Sequence, residues 1–256
     1  MMSFLNFLAF AAMVGVNAYA NLKKLGGAST GEISAAYPNV FTPAGFTFAI
    51  WGAVYGLLLV YLIRTFFSSR AKETADKIGP WFIISCIFNV GWIYCWHSRM
   101  IPLSMAAMMG LFVSLVVLRG RSEGAAFADR AGFDLYAGWI SLAMAANFMA
   151  AMVSAGADGF GSLVQVLSFG ILLIAGILIM GTVLVERTWV FGLAGLWGMA
   201  GILYRHLDPN QLAGKYPWII GALLTGLIFV SFGVVTVLRG TYKKTKVQPA
   251  LPPLNS

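Results

Sequence analysis

Charge is what this sequence has least of. Asp, Glu, Lys and Arg make up 10% of its 256 residues, against roughly 25% in a soluble domain. Hydrophobic residues make up 59%, and the mean hydropathy is +0.82. So apolar a chain cannot cover itself with polar surface in water, and the composition predicts an integral membrane protein. Cysteine is also scarce. Cys86 and Cys95 stand in one expected helix, about 13 Å apart at the helical rise, which excludes a disulfide between them. No Cys/His cluster has metal-ligand spacing, and no phosphate-binding glycine loop occurs. No pair of carboxylates or histidines falls deep in an apolar run. That argues against a proton-coupled transporter and against a hydrolase within the membrane. His97, His206, Asp134 and Glu186 fall at the ends of apolar runs, where the histidines read as solvated. The net charge of +8 does not point to nucleic acid, because the basic residues sit in short loops and a tail.

What is present is a series of apolar runs of membrane-spanning length. About eight transmembrane helices are expected, near 3–22, 43–66, 79–97, 101–119, 133–154, 161–184, 189–205 and 217–238. The fold class is therefore all-α, and no strand pattern suggests a membrane barrel. Lys23 and Lys24 follow the first run rather than precede it, so it reads as a retained helix and not a cleaved signal. Of the 17 Lys and Arg residues, the larger share falls on the side that carries both termini. The positive-inside rule then expects both termini in the cytoplasm and the loop before Phe41 outside. The seventh run carries Gly192, Gly195, Gly198 and Gly201, which read as helix-packing devices. Residues 242–256 are basic and Pro-rich and are expected to be flexible.

Residues 41–51 join loop to helix. Thr42 is placed to cap, Pro43 suits a first helical turn, and Gly45 leaves the backbone open to close approach. Phe46, Phe48, Trp51 and Tyr55 then set aromatic rings along the entering helix. The same residues also fit an ordinary aromatic interface belt.

Two further runs carry polar groups among aromatics. Asn89, Trp92 and Trp96 share one helix face. An amide in the hydrocarbon region needs a partner, either a neighbouring helix or a ligand. Tyr136, Ala143 and Asn147 share another face with Trp139 beside it, leaving space for a flat ligand or for another helix. Asn17 and Gln165 are lone intramembrane amides and read as packing contacts.

Taken in order, these stretches resemble the TspO/MBR family, the tryptophan-rich sensory proteins and translocator proteins, also called peripheral benzodiazepine receptors. The family's loop pattern Trp-x-Pro-Pro-Gly is matched by Phe41-Thr42-Pro43-Ala44-Gly45, with Trp51 and Tyr55 following. Its Asn with trailing aromatics is matched by Asn89, Trp92 and Trp96. Its last helix is matched by Tyr136, Trp139, Ala143 and Asn147. Phe41 stands for the family's tryptophan, Ala44 for its second proline, and Asp134-Leu135 for its Leu-Pro.

The resemblance implies a TspO-like five-helix ligand-binding bundle over 1–155, followed by a three-helix membrane segment over 156–241 and the tail. It implies a ligand site lined by Trp51, Tyr55, Asn89, Trp92, Trp96, Tyr136, Trp139, Ala143 and Asn147, with Phe41, Pro43, Ala44 and Gly45 as a lid. The implied ligand is a porphyrin, another tetrapyrrole, or a similar hydrophobic small molecule or lipid. No motif demands a cofactor, and no axial haem ligand stands in mid-membrane, so a metal-free porphyrin fits better than a haem. The resemblance also implies a sensor or carrier; the positive-inside asymmetry favours a bacterial cytoplasmic membrane, and the lack of a deep acid–base pair argues against a conventional enzyme. Light-dependent porphyrin breakdown is the enzymatic activity suggested for the family. The last three helices, which the family core lacks, are expected to block, extend or repurpose the site, or to form a homo-oligomer contact. A transporter or permease subunit built with those helices is the alternative from another class.

Overall fold

The computed structural model describes residues 2–247, and among them there is no strand. The chain forms α1 (Met2–Leu22), α2 (Thr30–Ala35), α3 (Ile50–Phe67), α4 (Ser69–Ile78), α5 (Trp81–His97), α6 (Ile101–Arg121), α7 (Phe127–Ser154), α8 (Ser162–Glu186), α9 (Trp189–Leu207) and α10 (Pro217–Val247). Long helices stand in all eight apolar runs. Six are long and apolar enough to cross a membrane: α1, α3 with the turn before it, α6, α7, α8 and α10. The pair α4 and α5 makes a seventh candidate, bent by 65°. The expected count of eight is therefore not reached on length and apolarity. The shortfall is α9, whose apolar character is diluted by its glycines and by Arg205 and His206 in its last turn.

Helix α4 is not foreseen by hydropathy. It is short and polar, yet Ala71, Thr74, Ala75 and Ile78 form one buried stripe at helical spacing. The Ser68 hydroxyl accepts from the Ala71 N–H at 3.4 Å and caps its start. Gly79, at φ 60°, turns the chain into α5. Two other boundaries differ from expectation. Thr42 does not cap a helix. Its hydroxyl accepts from the Asn39 N–H at 3.3 Å, and Pro43 stays in the loop. The chain enters α3 through a 3-10 turn, Gly45–Ala49, with no side-chain cap. Helix α7 begins at Phe127, so Asp134 lies in its second turn rather than at its end. The tail expected to be flexible continues α10 to Val247. The rest of it lies outside the described residues.

Helix α7 is central and packs on α3, α6 and α9, while α5 lies between α1 and α6. Helix α9 in turn is held by α7, α8 and α10. The four glycines of α9 serve different neighbours because a three-residue step drifts around the helix. Side chains at Gly192 and Gly195 would strike Val234 and Ile179, and ones at Gly198 and Gly201 would strike Leu142 and Thr47.

At the basic end of the bundle a largely buried ionic network joins α6 and α7 to α8 and the α8–α9 turn. Arg119 Nε donates to Asp134 at 2.8 Å and its Nη2 to Glu186 at 2.6 Å. Arg130 Nη2 donates to Glu186 at 2.9 Å, and the Thr188 hydroxyl donates to Asp134 at 2.7 Å. The Arg119 guanidinium also lies 4.6 Å above the Phe191 ring. Beside this network, Arg64 Nε donates to Asp129 at 2.7 Å.

Candidate functional site

The site is built on Trp51, on the first turn of α3. Its ring stacks on Trp92 of α5 at 5.7 Å, and Trp92 stacks on Trp96 at 6.0 Å. Trp51 meets the edges of Tyr136 and Trp139 of α7 at 5.6 and 6.3 Å. Phe48 meets Trp139 at 6.2 Å. Offset and edge-on contacts of this kind stabilise aromatic clusters beyond area burial.

Phe48, Trp51, Trp92, Trp96 and Trp139 border a small cavity of about 30 Å³ lined also by Ser34, Pro43, Met108, Ala143, Ala146 and Asn147. A second small space adjoins it beneath Phe41, against Gly198 and Ile202 of α9. On the other side of Trp51 and Phe48 lies a groove of about 360 Å³ between α1 and α3, lined by Asn17, Asn21, Thr30 and Tyr55 among others.

The amides are engaged with other helices. Asn17 Nδ2 donates to Asn89 Oδ1 at 2.7 Å, and Asn89 Nδ2 donates to the Tyr136 hydroxyl at 2.6 Å. This chain of bonds ties α1, α5 and α7 together one layer behind the cavity. Trp92 Nε1 donates to Asn147 Oδ1 at 3.0 Å, and Asn147 Nδ2 donates to the Ser104 hydroxyl at 3.1 Å. Asn147 thus joins α5, α6 and α7 while lining the cavity. The Trp139 indole N–H is buried without a partner.

The nine residues expected to line a site therefore separate. Trp51, Trp92, Trp96, Trp139, Ala143 and Asn147 meet at the cavity. Tyr55 lines the groove. Asn89 and Tyr136 stand behind. Of the expected lid, Pro43 lines the cavity, Phe41 lines the adjoining space, and Ala44 is buried. Gly45 is exposed, with open space where a side chain would be, so its lack of a side chain admits no close neighbour.

The loop between α1 and α3 is fastened in two halves. Its first half is held by the end of α5. Trp96 Nε1 donates to the Thr30 carbonyl at 3.2 Å, His97 Nδ1 lies 2.8 Å from the Leu25 carbonyl, and His97 Nε2 lies 3.1 Å from the Thr30 hydroxyl. Within this half, Ser29 and Glu32 form a capping box for α2. The hydrogen bond from Lys24, with the Ser29 N–H, holds the Glu32 carboxyl down at about 2. The second half, over the cavity, is held from α9. Arg205 Nη1 donates to the carbonyls of Asn39 at 2.7 Å and Thr42 at 3.0 Å. His206 Nε2 lies 2.8 Å from the Val40 carbonyl. The histidines expected to be solvated are thus buried, His97 1% and His206 0% exposed; each meets a loop carbonyl distant in sequence, while His206 Nδ1 is buried without a partner.

A family model described as TSPO-like protein matches residues 3–236. The chain belongs to that family. No curated protein and no solved structure gave a match. The match to the TSPO-like family extends through α8, α9 and most of α10 as well as the first five long helices.

In this TSPO-like protein the sequence marked some cavity neighbours and not others. Phe48 belongs to the aromatic run before Trp51 and carried a signal of its own. Met108 and Ser34 carried none, being an ordinary apolar and an ordinary small polar residue. Arg205 counted only among the basic residues that set orientation, and its partners are carbonyls that no pattern marks.

Proposed function

We propose that this protein binds a flat hydrophobic ligand, a metal-free tetrapyrrole or a lipid of similar shape, in the aromatic cavity and acts as a sensor or carrier. The observation that carries this reading is Trp139. Its indole N–H is buried without a partner in the wall of a mostly apolar cavity whose polar lining residues are Ser34 and Asn147. An unpaired buried donor costs about 1–3 kcal/mol, and a ligand acceptor would relieve that cost. The cavity in this closed form has room for about a water, whereas drug-sized ligands take roughly 300–1,000 Å³. Trp51 and Phe48 line both the cavity and the groove of about 360 Å³ beside it. Turning these two rings would join the spaces. In the joined site Trp51 and Trp92 would stack on the ligand, Asn147 and Trp139 would supply polar contacts, and Phe41 to Gly45 would form the lid. Asn89 and Tyr136 would support the wall from behind. By the positive-inside rule the ionic end faces the cytoplasm, with both termini there and the lid outside.

The test is a titration of the purified protein in detergent with protoporphyrin, followed by tryptophan fluorescence. Saturable quenching is expected, and Ala143→Phe, which fills the cavity, should abolish it. Non-saturable quenching, or the same affinity in folded Ala143→Phe, would overturn the reading.

A further inference from the structure

Helix α9 reaches across the bundle to hold the segment that covers the cavity. From residue 38 to residue 47, most of the contacts that fix this segment from outside come from α9 and the α7–α8 link. The Val40 N–H donates to the Gly159 carbonyl at 3.2 Å, and the Ala44 N–H to the Gly201 carbonyl at 3.1 Å. Trp197 Nε1 donates to the Thr47 carbonyl at 2.8 Å. Phe46 packs edge-on against Trp197 and Tyr204 at 5.7 and 5.2 Å. A side chain at Gly201 would collide with Thr47, and one at Gly159 with the Pro38 carbonyl. Close backbone approach is thus a requirement at both contacts.

Arg205 is the strongest of these holds. It is partly buried and makes no ion pair among the described residues. One of its nitrogens instead bridges the carbonyls of Asn39 and Thr42. Asn39 has already shaped that stretch as a turn, with its side-chain oxygen accepting from the Phe41 N–H at 2.8 Å. The guanidinium therefore closes a preformed turn that carries Phe41 and Pro43, both of which line the space beneath. His206, next along α9, takes the Val40 carbonyl between them. The first half of the loop has no contact of this kind with α9 and stays with α5.

We infer that the outer end of α9 is a latch for residues 38–47, with Arg205 and His206 as positioning residues that keep the segment shut over the cavity. The latch acts on ligand exchange only if the cavity takes a ligand, so that part rests on the function proposed above. Opening would pivot at residues 36–38, between the half tied to α5 and the half tied to α9. A hydrogen bond to a charged group is worth more than a neutral one, and losing both carbonyl contacts exposes the segment's amides to water.

The experiment is hydrogen–deuterium exchange on the full chain in detergent, read on peptides spanning 38–47. Arg205→Gln should speed exchange there at least about tenfold, the ratio expected for one net charge-assisted hydrogen bond. Exchange in α5 and α6 should stay unchanged. Arg205→Lys, with a compact ammonium in place of the fork, should fall between. His206→Phe keeps the ring against Tyr216 and should speed exchange on its own. Lys215→Gln, which removes an exposed charge at the same end, should do nothing. Unchanged exchange at 38–47 in folded Arg205→Gln and His206→Phe overturns the latch. So does acceleration spread evenly over the bundle. Protoporphyrin stopped-flow separates the two readings. If Arg205 acts as a latch, Arg205→Gln raises association and dissociation rates together and leaves affinity nearly constant. A rise in dissociation alone makes Arg205 a ligand contact and overturns the latch. Local acceleration in a protein that binds no protoporphyrin would keep the latch and overturn the ligand proposal.

Discussion

The indole N–H of Trp92 donates to the side-chain oxygen of Asn147 across 3.0 Å, from α5 to α7. That bond holds one wall ring at a fixed angle and leaves the amide of Asn147 to reach Ser104 on α6. Asn147→Leu removes both. Interhelical hydrogen bonds in membranes are worth about 0.6 kcal/mol on average and up to roughly 1.7. A loss near the upper figure is expected here, because the Trp92 donor is left buried and unpaired. Unfolding by SDS titration measures it. Protoporphyrin affinity should fall in the same variant, since Asn147 lines the cavity.

Asn89 should behave differently. Its amide is spent on Asn17 and Tyr136, behind the cavity. Asn89→Leu should therefore lower stability by about 1–3 kcal/mol, the cost of stranding buried partners, and leave ligand affinity nearly unchanged. Replacing Asn17 by Leu as well removes one stranded partner. The double variant should be less destabilised than the sum of the two single ones, and a double-mutant cycle reads the difference directly. Additive losses would mean the two amides are not coupled.

This contrast marks where the sequence stops being readable. Helix positions were legible because apolar runs of membrane length leave little choice. Trp51, Trp92 and Trp139 were legible as one set only through the family resemblance, since each taken alone also fits an interface or packing aromatic. Asn89 and Asn147 looked alike, since each is an amide on an aromatic face. Only the partner separates them, and Asn17 lies far away in the chain. The histidines failed for a similar reason. His97 and His206 are each drawn inside by a loop carbonyl, and such carbonyls carry no sequence signature. Helix α4 was missed because its buried stripe of small residues lies inside a charged stretch. Asp134 was misplaced because α7 starts earlier than the apolar run does, through Asp129 and Arg130.

Asp134 gives a stability prediction of its own. It accepts from Arg119 and Thr188 and pairs with Arg130, and it is 4% exposed. Asp134→Ala leaves Arg119 buried with Glu186 alone. Removing one partner of a buried ion pair costs about 3–5 kcal/mol, so a loss of that order is expected, read as a fall in the SDS-unfolding midpoint. Thr188→Val removes one neutral donor and should cost about 1 kcal/mol. A smaller loss for Asp134→Ala than for Thr188→Val would show that the network is not what joins α6 and α7 to the α8–α9 turn.

Glycine at the α7–α9 seam predicts a difference in sign. A side-chain carbon at Gly138 would press on the Phe191 carbonyl and lie 3.0 Å from Ala194. Backbone cannot rotate aside as a flexible side chain can, so Gly138→Ala must push α9 away from α7. Overpacking of this kind costs about 1–3 kcal/mol. Gly170 on α8 has nothing within 4 Å of the same position. There Gly→Ala should be neutral or stabilising by up to about 1 kcal/mol, from helix propensity alone. Unfolding of the two variants side by side measures both. Because α9 carries Arg205, the Gly138 variant should also loosen residues 38–47, seen as faster amide exchange far from the substitution, whereas Gly170→Ala should leave them protected.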